Sequence, residues 1–202
     1  MYDPGVNVST DQAQPGRRAP APGPGLRQLQ DFVNTNDVEE GIDAVGTPGQ
    51  LHEWLVTNGA IRREERVSPE AHARALAVRE GLRALGLANN DEPLDEDLVA
   101  AMNLAAGTLR LLPTVRDSDT WGLAPAGTGV DGYLAGILST LVTSIADGSW
   151  SRVKACRNDT CRWLFFDHSR NRSGTWCTMA VCGSRLKARA YRARRRENAQ
   201  AS

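Results

Sequence analysis

Apolar residues recur at helical spacing in several stretches of the chain. One stretch repeats every three or four residues and therefore lines one face of an α-helix; its members are Ala71, Ala75, Val78, Leu82 and Leu85. Ser68-Pro69 precedes it, a hydroxyl N-cap followed by proline at the first helical position. The pattern predicts a helix that begins there and is closed by Gly86. Thr47-Pro48 gives the same start signal for a shorter helix that ends near Asn58-Gly59.

Two further helices are predicted nearer the middle of the chain. One begins around Asp95 and stops before Pro113, because proline lacks the N–H that a helix needs. Its inward-facing residues are Leu98, Met102, Ala105 and Leu109. The other is capped by Asp131 and ends at Gly148. Its apolar stripe consists of Leu134, Ile137, Leu138, Leu141 and Ile145.

The remaining N-terminal stretches complete a mainly α (α+β) fold. Residues 1–25 contain five of the ten prolines and little to bury, which predicts a disordered segment. Residues 26–149 form the predicted helical body. Within it, 114–130 carries Val115, Trp121 and Leu123 among turn residues, which favours a small β-hairpin. No apolar run approaches the roughly 18 to 20 residues that span a bilayer, so we expect a cytoplasmic protein with no membrane partner.

All four cysteines lie in the last quarter, as Cys156-x4-Cys161-x15-Cys177-x4-Cys182. Four thiolates in two short-spaced pairs can surround one Zn²⁺ ion as a tetrahedron, so the sequence predicts one structural zinc site. Disulfides are disfavoured, because the chain begins with no secretory signal and cytosolic thiols stay reduced. An iron–sulfur cluster uses the same four ligands and stays open.

The residues around the cysteines predict a treble-clef-like zinc finger over 150–202. The aromatic run 163–166 suits a strand, residues 167–175 form a loop, and a segment of helix formers follows the last cysteine. His168 is interpreted as a loop residue, since four cysteines already complete a site. Trp163 and Trp176 are expected to pack around the metal rather than to stack on bases.

A zero net charge hides a division between the two parts of the chain. From Trp150 onward there are 13 Lys/Arg and 3 Asp/Glu, which leaves 11 and 21 in the first 149 residues. Arginine dominates the basic residues, and its planar fork suits phosphate. The candidate nucleic-acid contacts are Arg170, Arg172, Arg185, Lys187, Arg189, Arg192, Arg194, Arg195 and Arg196. A solvated basic tail and a compositional bias towards arginine are the alternatives.

The cysteine region resembles the CGNR zinc-finger family, through the two C-x4-C pairs and the intervening RWLFFDHSRNRSGTWC. The stretch DFVNT (31–35) and the Thr-Pro helix start resemble the ABATE domain that precedes this finger in stress-induced transcription regulators. The resemblance implies zinc on the four cysteines and a DNA partner. The namesake tetrapeptide here reads Cys182-Gly183-Ser184-Arg185, with serine in place of the family's asparagine.

The leading functional hypothesis is a zinc-dependent DNA-binding regulator whose body senses a signal. A protein-binding or RNA-binding module is the second class, because a fold does not fix a function. An enzyme is disfavoured, because a closed four-thiolate site leaves no position for an activated water. A further hypothesis is an intramolecular contact in which the acidic body docks on the basic finger when DNA is absent; the alternative is that both surfaces are independently solvated. A homodimer stays open.

Overall fold

The computed structural model describes residues 20–115, 121–184 and Tyr191. Within these ranges five helices form most of the fold. They are α1 (Pro24–Val33), α2 (Pro48–Thr57), α3 (Pro69–Ala88), α4 (Glu96–Ala106) and α5 (Gly129–Ala146). The described strands form three antiparallel pairs, which are β1 (Asn36–Asp37) with β2 (Ile42–Asp43), β3 (Leu111–Val115) with β4 (Trp121–Pro125), and β5 (Val153–Ala155) with β6 (Leu164–Phe166). The mainly helical α+β class is confirmed.

Three predicted helix starts are confirmed by side-chain caps. The Thr47 hydroxyl accepts a hydrogen bond from the N–H of Gln50 at 3.2 Å, and the caps at Ser68 and Asp95 are formed in the same way. The predicted cap at Asp131 is wrong. Helix α5 begins at Gly129, and Asp131 lies in its first turn. There its carboxylate accepts a hydrogen bond at 2.7 Å from Arg74 of α3, so it joins two helices instead of capping one.

Several predicted boundaries in the body are corrected by packing. Gly86 does not close α3, which continues to Ala88. Helix α4 ends at Ala106, so Leu109 lies beyond it and Pro113 belongs to β3 rather than to a helix stop. Leu98 was expected inward but is 37% exposed, whereas Met102 and Ala105 are buried. The predicted hairpin therefore exists but begins earlier, and its connecting residues 116–120 lie outside the described ranges.

Residues 20–25 are ordered, with Ala21 packed against the body, so this part of the predicted disordered segment is wrong. Ala21 is 1% exposed, and its N–H donates to the side-chain oxygen of Gln30 at 2.9 Å. Helix α1 already begins at Pro24, where proline suits the first turn. Residues 1–19 lie outside the described ranges.

Helix α5 is the central helix of the body. Over its 18 residues it is long and apolar enough to meet the length and composition of a membrane span. Leu134 and Ile137 of this helix are fully buried in the main core, where α5 packs against α1, α3 and β4. Packing inside the body therefore accounts for its apolar stripe, as is common for the core helix of a globular domain.

The β5–β6 hairpin belongs to two cores at once. Because side chains alternate between the faces of a strand, Leu164 and Phe166 enter the main core while Phe165 joins the cysteines on the other face. Val153 and Ala155 of β5 also lie in the main core. The predicted boundary between 26–149 and 150–202 thus runs through one continuous hydrophobic core.

Gly86 gives a direct test of this shared core. A Cβ on Gly86 would lie 2.5 Å from Cδ1 of the buried Leu164 and 3.2 Å from the backbone nitrogen of Ala155. We predict that Gly86→Ala lowers the free energy of unfolding, because overpacking costs about 1–3 kcal/mol and exceeds the gain of about 1 kcal/mol in helix propensity. Urea denaturation of the zinc-loaded protein measures the change.

Gly49→Ala is the matched control, because Gly49 lies in α2 and an added Cβ there meets nothing within 4 Å. This substitution should leave the free energy of unfolding unchanged or raise it slightly. Equal effects of the two substitutions would contradict the close approach of α3 to the hairpin.

Candidate metal centre

The first cysteine pair is held by the turn between β5 and β6. Cys156 follows β5 directly, and its N–H donates to the carbonyl of Trp163 at 2.9 Å. The N–H of Cys161 donates to the carbonyl of Asn158 at 2.8 Å, which folds the chain back towards β6. Arg162 then adopts a left-handed backbone conformation with φ of 54°. The turn places both thiols on the hairpin face opposite the main core.

The second cysteine pair lies in and next to a single turn of π-helix, Met179–Gly183. The Thr178 hydroxyl caps this turn by accepting a hydrogen bond from the N–H of Val181 at 3.1 Å. Cys177 immediately precedes Thr178, and Cys182 lies within the turn. The basic helix predicted to follow begins at 185 and, apart from Tyr191, lies outside the described residues.

The four thiols form one compact, buried cluster. Their Sγ atoms all lie within 4.8 Å of one another, and each cysteine is at most 2% exposed. The Sγ atoms of Cys161 and Cys177 are 3.6 Å apart, as are those of Cys177 and Cys182. A disulfide would need about 2.05 Å, whereas a tetrahedron with Zn–S bonds of about 2.3 Å has edges of about 3.8 Å. The donor set and its spacing therefore fit one structural zinc ion.

The same spacing bears on the iron–sulfur alternative. In an iron–sulfur cluster, thiolates bound to different irons are connected through more than one metal. Their sulfur atoms therefore lie farther apart than those of two thiolates bound to the same ion. The observed separations of 3.6 Å match two bonds through one metal. The geometry favours a site for a single ion over a cluster.

Hydrogen bonds among the thiols divide their acidities. Bonds donated by Cys161 and Cys177 lower the pKa of Cys156 to about 4. The hydrogen bonds to Cys156 together with burial raise the pKa values of Cys161 and Cys177 above the ordinary thiol value. The hydrogen bonds therefore favour ionisation of one thiol of the cluster and disfavour ionisation of its neighbours. Metal binding must displace the remaining protons, so metal affinity rises with pH.

Aromatic residues enclose the thiols, as expected. Phe165 is fully buried beside the cysteines, and Trp163 and Trp176 pack against the same cluster while staying partly exposed. His168 lies outside the thiol cluster. Its ring packs on Phe166 at 4.9 Å, and its Nε2 lies 3.2 Å from the carbonyl of Pro20. The interpretation of His168 as a loop residue agrees with this position.

The loop after β6 is fixed by a buried carboxylate that the sequence analysis missed. Asp167 accepts hydrogen bonds from the N–H groups of Ser169 at 3.0 Å and Gly174 at 2.7 Å, and pairs with the ammonium of Lys154 at 3.2 Å. Burial raises the pKa of Asp167, but the bonds from Ser169, Gly174 and Lys154 outweigh it and hold the pKa at about 2. The only signal in the sequence was an Asp two residues before Ser169, an Asx-turn pattern.

Two of the predicted nucleic-acid contacts lie on this loop. Arg170 and Arg172 are both exposed, and the guanidinium of Arg172 donates to the hydroxyl of Ser151 at 3.0 Å. The other candidates lie outside the described residues; they are Arg185, Lys187, Arg189, Arg192, Arg194, Arg195 and Arg196.

Comparisons with known families agree with this architecture. A family model described as "Putative stress-induced transcription regulator", the ABATE domain, matches residues 27–148, more than half of the 202 residues. A second model, described as "CGNR zinc finger", matches residues 152–195 and so contains all four cysteines. No curated protein matches the chain. The chain therefore belongs to the ABATE family, and its CGNR zinc finger provides a site for one structural zinc ion.

Proposed function

We propose that the protein is a zinc-dependent, DNA-binding transcription regulator of the cytoplasm that responds to stress or to a ligand through its ABATE body. The observation that carries this proposal is the buried four-thiol cluster, which lies just before the basic segment 185–196. Four thiolates around one ion make a closed structural site. The metal would fix the shape of the finger, and the protein acts by binding rather than by catalysis.

The zinc ligands are Cys156, Cys161, Cys177 and Cys182. When bound, the metal supplies charge neutralisation and a rigid link between the two cysteine pairs. Asn158 supports this arrangement, because its side-chain amide lies 3.7 Å from the Sγ of Cys182 and donates towards it. Such donors stabilise the negative charge on metal-bound thiolates.

The DNA surface consists of the exposed loop arginines and the basic segment that follows the finger. Arg170 and Arg172 are exposed on a loop whose backbone is held by hydrogen bonds to Asp167. The backbone that carries the two arginines is therefore fixed before DNA binds. Arginines in the segment 185–196 repel one another unless an anion neutralises them. The phosphate backbone of DNA is such an anion, and contacts to it make affinity depend on salt.

Removal of one proposed ligand tests the metal site. We expect wild-type protein to carry one zinc per chain, and Cys177→Ser to lose most of it and to unfold at lower temperature. The reason is that a structural zinc site contributes directly to folding free energy. Metal analysis of the purified protein and a thermal melt measure both effects. Thr175→Ser is the control, because it changes a residue close to Cys177 but keeps a side-chain hydroxyl and all four thiols. Full zinc content in Cys177→Ser would contradict the assignment of this ligand.

A salt titration tests the DNA function. We expect the full-length protein to bind a labelled mixed-sequence duplex in fluorescence anisotropy, with affinity that falls steeply with salt and is lost on zinc chelation. Arg170→Ala and Arg189→Ala should each reduce the slope of log K against log salt by about 0.9. Arg62→Ala is the control, because this body side chain is 84% exposed and lies outside the finger.

Three results would overturn the DNA function. Duplex affinity that ignores both chelation and loss of the arginines would separate the basic residues from binding. Single-stranded or A-form RNA that outcompetes the duplex would assign the finger to RNA instead. If neither nucleic acid binds, the finger is a protein-interaction module.

A further inference from the structure

Side chains of the body hold the backbone on both sides of the cysteines. The amide of Asn90, which is 2% exposed, donates to the carbonyl of Ala155 at 2.8 Å and to that of Thr175 at 2.9 Å. Ala155 directly precedes Cys156, and Thr175 lies two residues before Cys177. One body side chain therefore links the backbone segments that carry a cysteine from each pair.

Asn34 holds the hairpin in a different way. Its amide donates to the carbonyl of Leu164 at 2.9 Å, and its side-chain oxygen accepts from the N–H of the same residue at 2.8 Å. This is the hydrogen-bond pattern that a neighbouring strand would offer to β6. Asn34 belongs to the DFVNT stretch at the end of α1, and Leu164 lies three residues after Cys161. The side chain thus anchors the strand that leads out of the first cysteine pair.

A buried arginine completes the set. Arg83 of α3 is 5% exposed and donates to the carbonyl of Arg162, the residue after Cys161, at 2.8 Å. The same guanidinium donates to the carbonyl of Val33 at 2.7 Å. Glu80 accepts from it at 3.0 Å and supplies the compensating charge. Arg83 therefore connects α1, α3 and the first cysteine pair through one rigid, planar group.

We propose that Asn34, Arg83 and Asn90 are positioning residues of the zinc site, through which the conformation of the body sets how tightly the finger holds zinc. This inference rests on the proposed cysteine ligation. Three of the four cysteines have flanking backbone fixed by the body, so less conformational freedom is lost when zinc binds. Because coupling free energy is reciprocal, a signal that moves α1 or α3 changes zinc affinity, and zinc loss loosens the body.

The test measures zinc release in the full-length protein. Zinc-loaded wild type, Asn90→Ala and Asn34→Asp are mixed with an excess of a chromophoric chelator, and the release rate is followed by absorbance. Asn34→Asp keeps the size of the side chain and the acceptor for Leu164 but removes the donor. We expect about tenfold faster release in Asn90→Ala, the lower end of the effect that outer-shell residues have on metal sites, and a smaller acceleration in Asn34→Asp.

Asn58→Ala is the matched control. Asn58 is also a body asparagine that donates to a backbone carbonyl, that of Trp54 at 2.8 Å, but this bond only caps the end of α2 and does not reach the finger. The Asn58→Ala protein should release zinc at the wild-type rate. Circular dichroism confirms that each variant keeps its helices. The Co²⁺ ligand-field spectrum adds a readout of tetrahedral geometry that a loss of stability alone does not shift.

The outcomes separate this inference from the proposed function. Wild-type release rates in both variants, with helices intact, would overturn the positioning role while leaving the zinc site in place. If Asn90→Ala does not fold, the rate in the isosteric Asn34→Asp decides. Wild-type protein that binds no zinc would overturn the zinc site and the positioning role together.

Discussion

The alternation of side chains across one three-residue strand decides how this protein is built. In β6, Leu164 and Phe166 are buried in the main core, while Phe165 between them is buried beside the four thiols. A register shift of one residue would exchange the two faces. The hairpin is thus a wall shared by two cores, and neither core is complete without it. The matches to an ABATE domain and a CGNR finger therefore describe two sequence units that fold against one another.

The two cores differ in what stabilises them. The main core contains buried residues from α1, α2, α3 and α5, which is ample for hydrophobic stabilisation. The small core contains Phe165 and four cysteines, with Trp163 and Trp176 at its edge. So few apolar side chains cannot offset the conformational entropy of the loops around them. A metal that links both cysteine pairs would supply part of this stabilisation. The body supplies another part by fixing the far face of the hairpin.

Short-range patterns in the sequence were enough to predict much of the fold and the metal site. Thr47, Ser68 and Asp95 cap helices through bonds to residues three positions away, so their role is visible in a short window. The spacing of the cysteines likewise reports a site whose pairs form within local turns. The wrong predictions, such as the helix stop at Gly86, have a different cause. Gly86 looks like a helix stop, but it is the point where α3 meets Leu164, a contact that only the folded chain brings together.

The same reason explains why the polar residues that support the finger were missed. Asn34 and Leu164 are 130 positions apart in the chain, and Arg83 and Arg162 are 79 apart. Asn89 and Asn90 look like ordinary turn residues after a helix, yet both donate to backbone carbonyls of the finger. A side chain that serves a distant backbone leaves no periodic pattern. Such residues are recognised in the folded chain, where they supply hydrogen-bond partners to the backbone N–H and C=O groups of the hairpin.

The contact between body and finger also changes how charge acts in this protein. In the described part of the chain, the hairpin is held by apolar burial and by hydrogen bonds to backbone groups, and Arg157 forms an ion pair with Glu92 across the junction. Salt screens exposed charge pairs but scarcely weakens buried apolar contacts. We therefore expect the hairpin to stay packed on the body as the salt concentration rises.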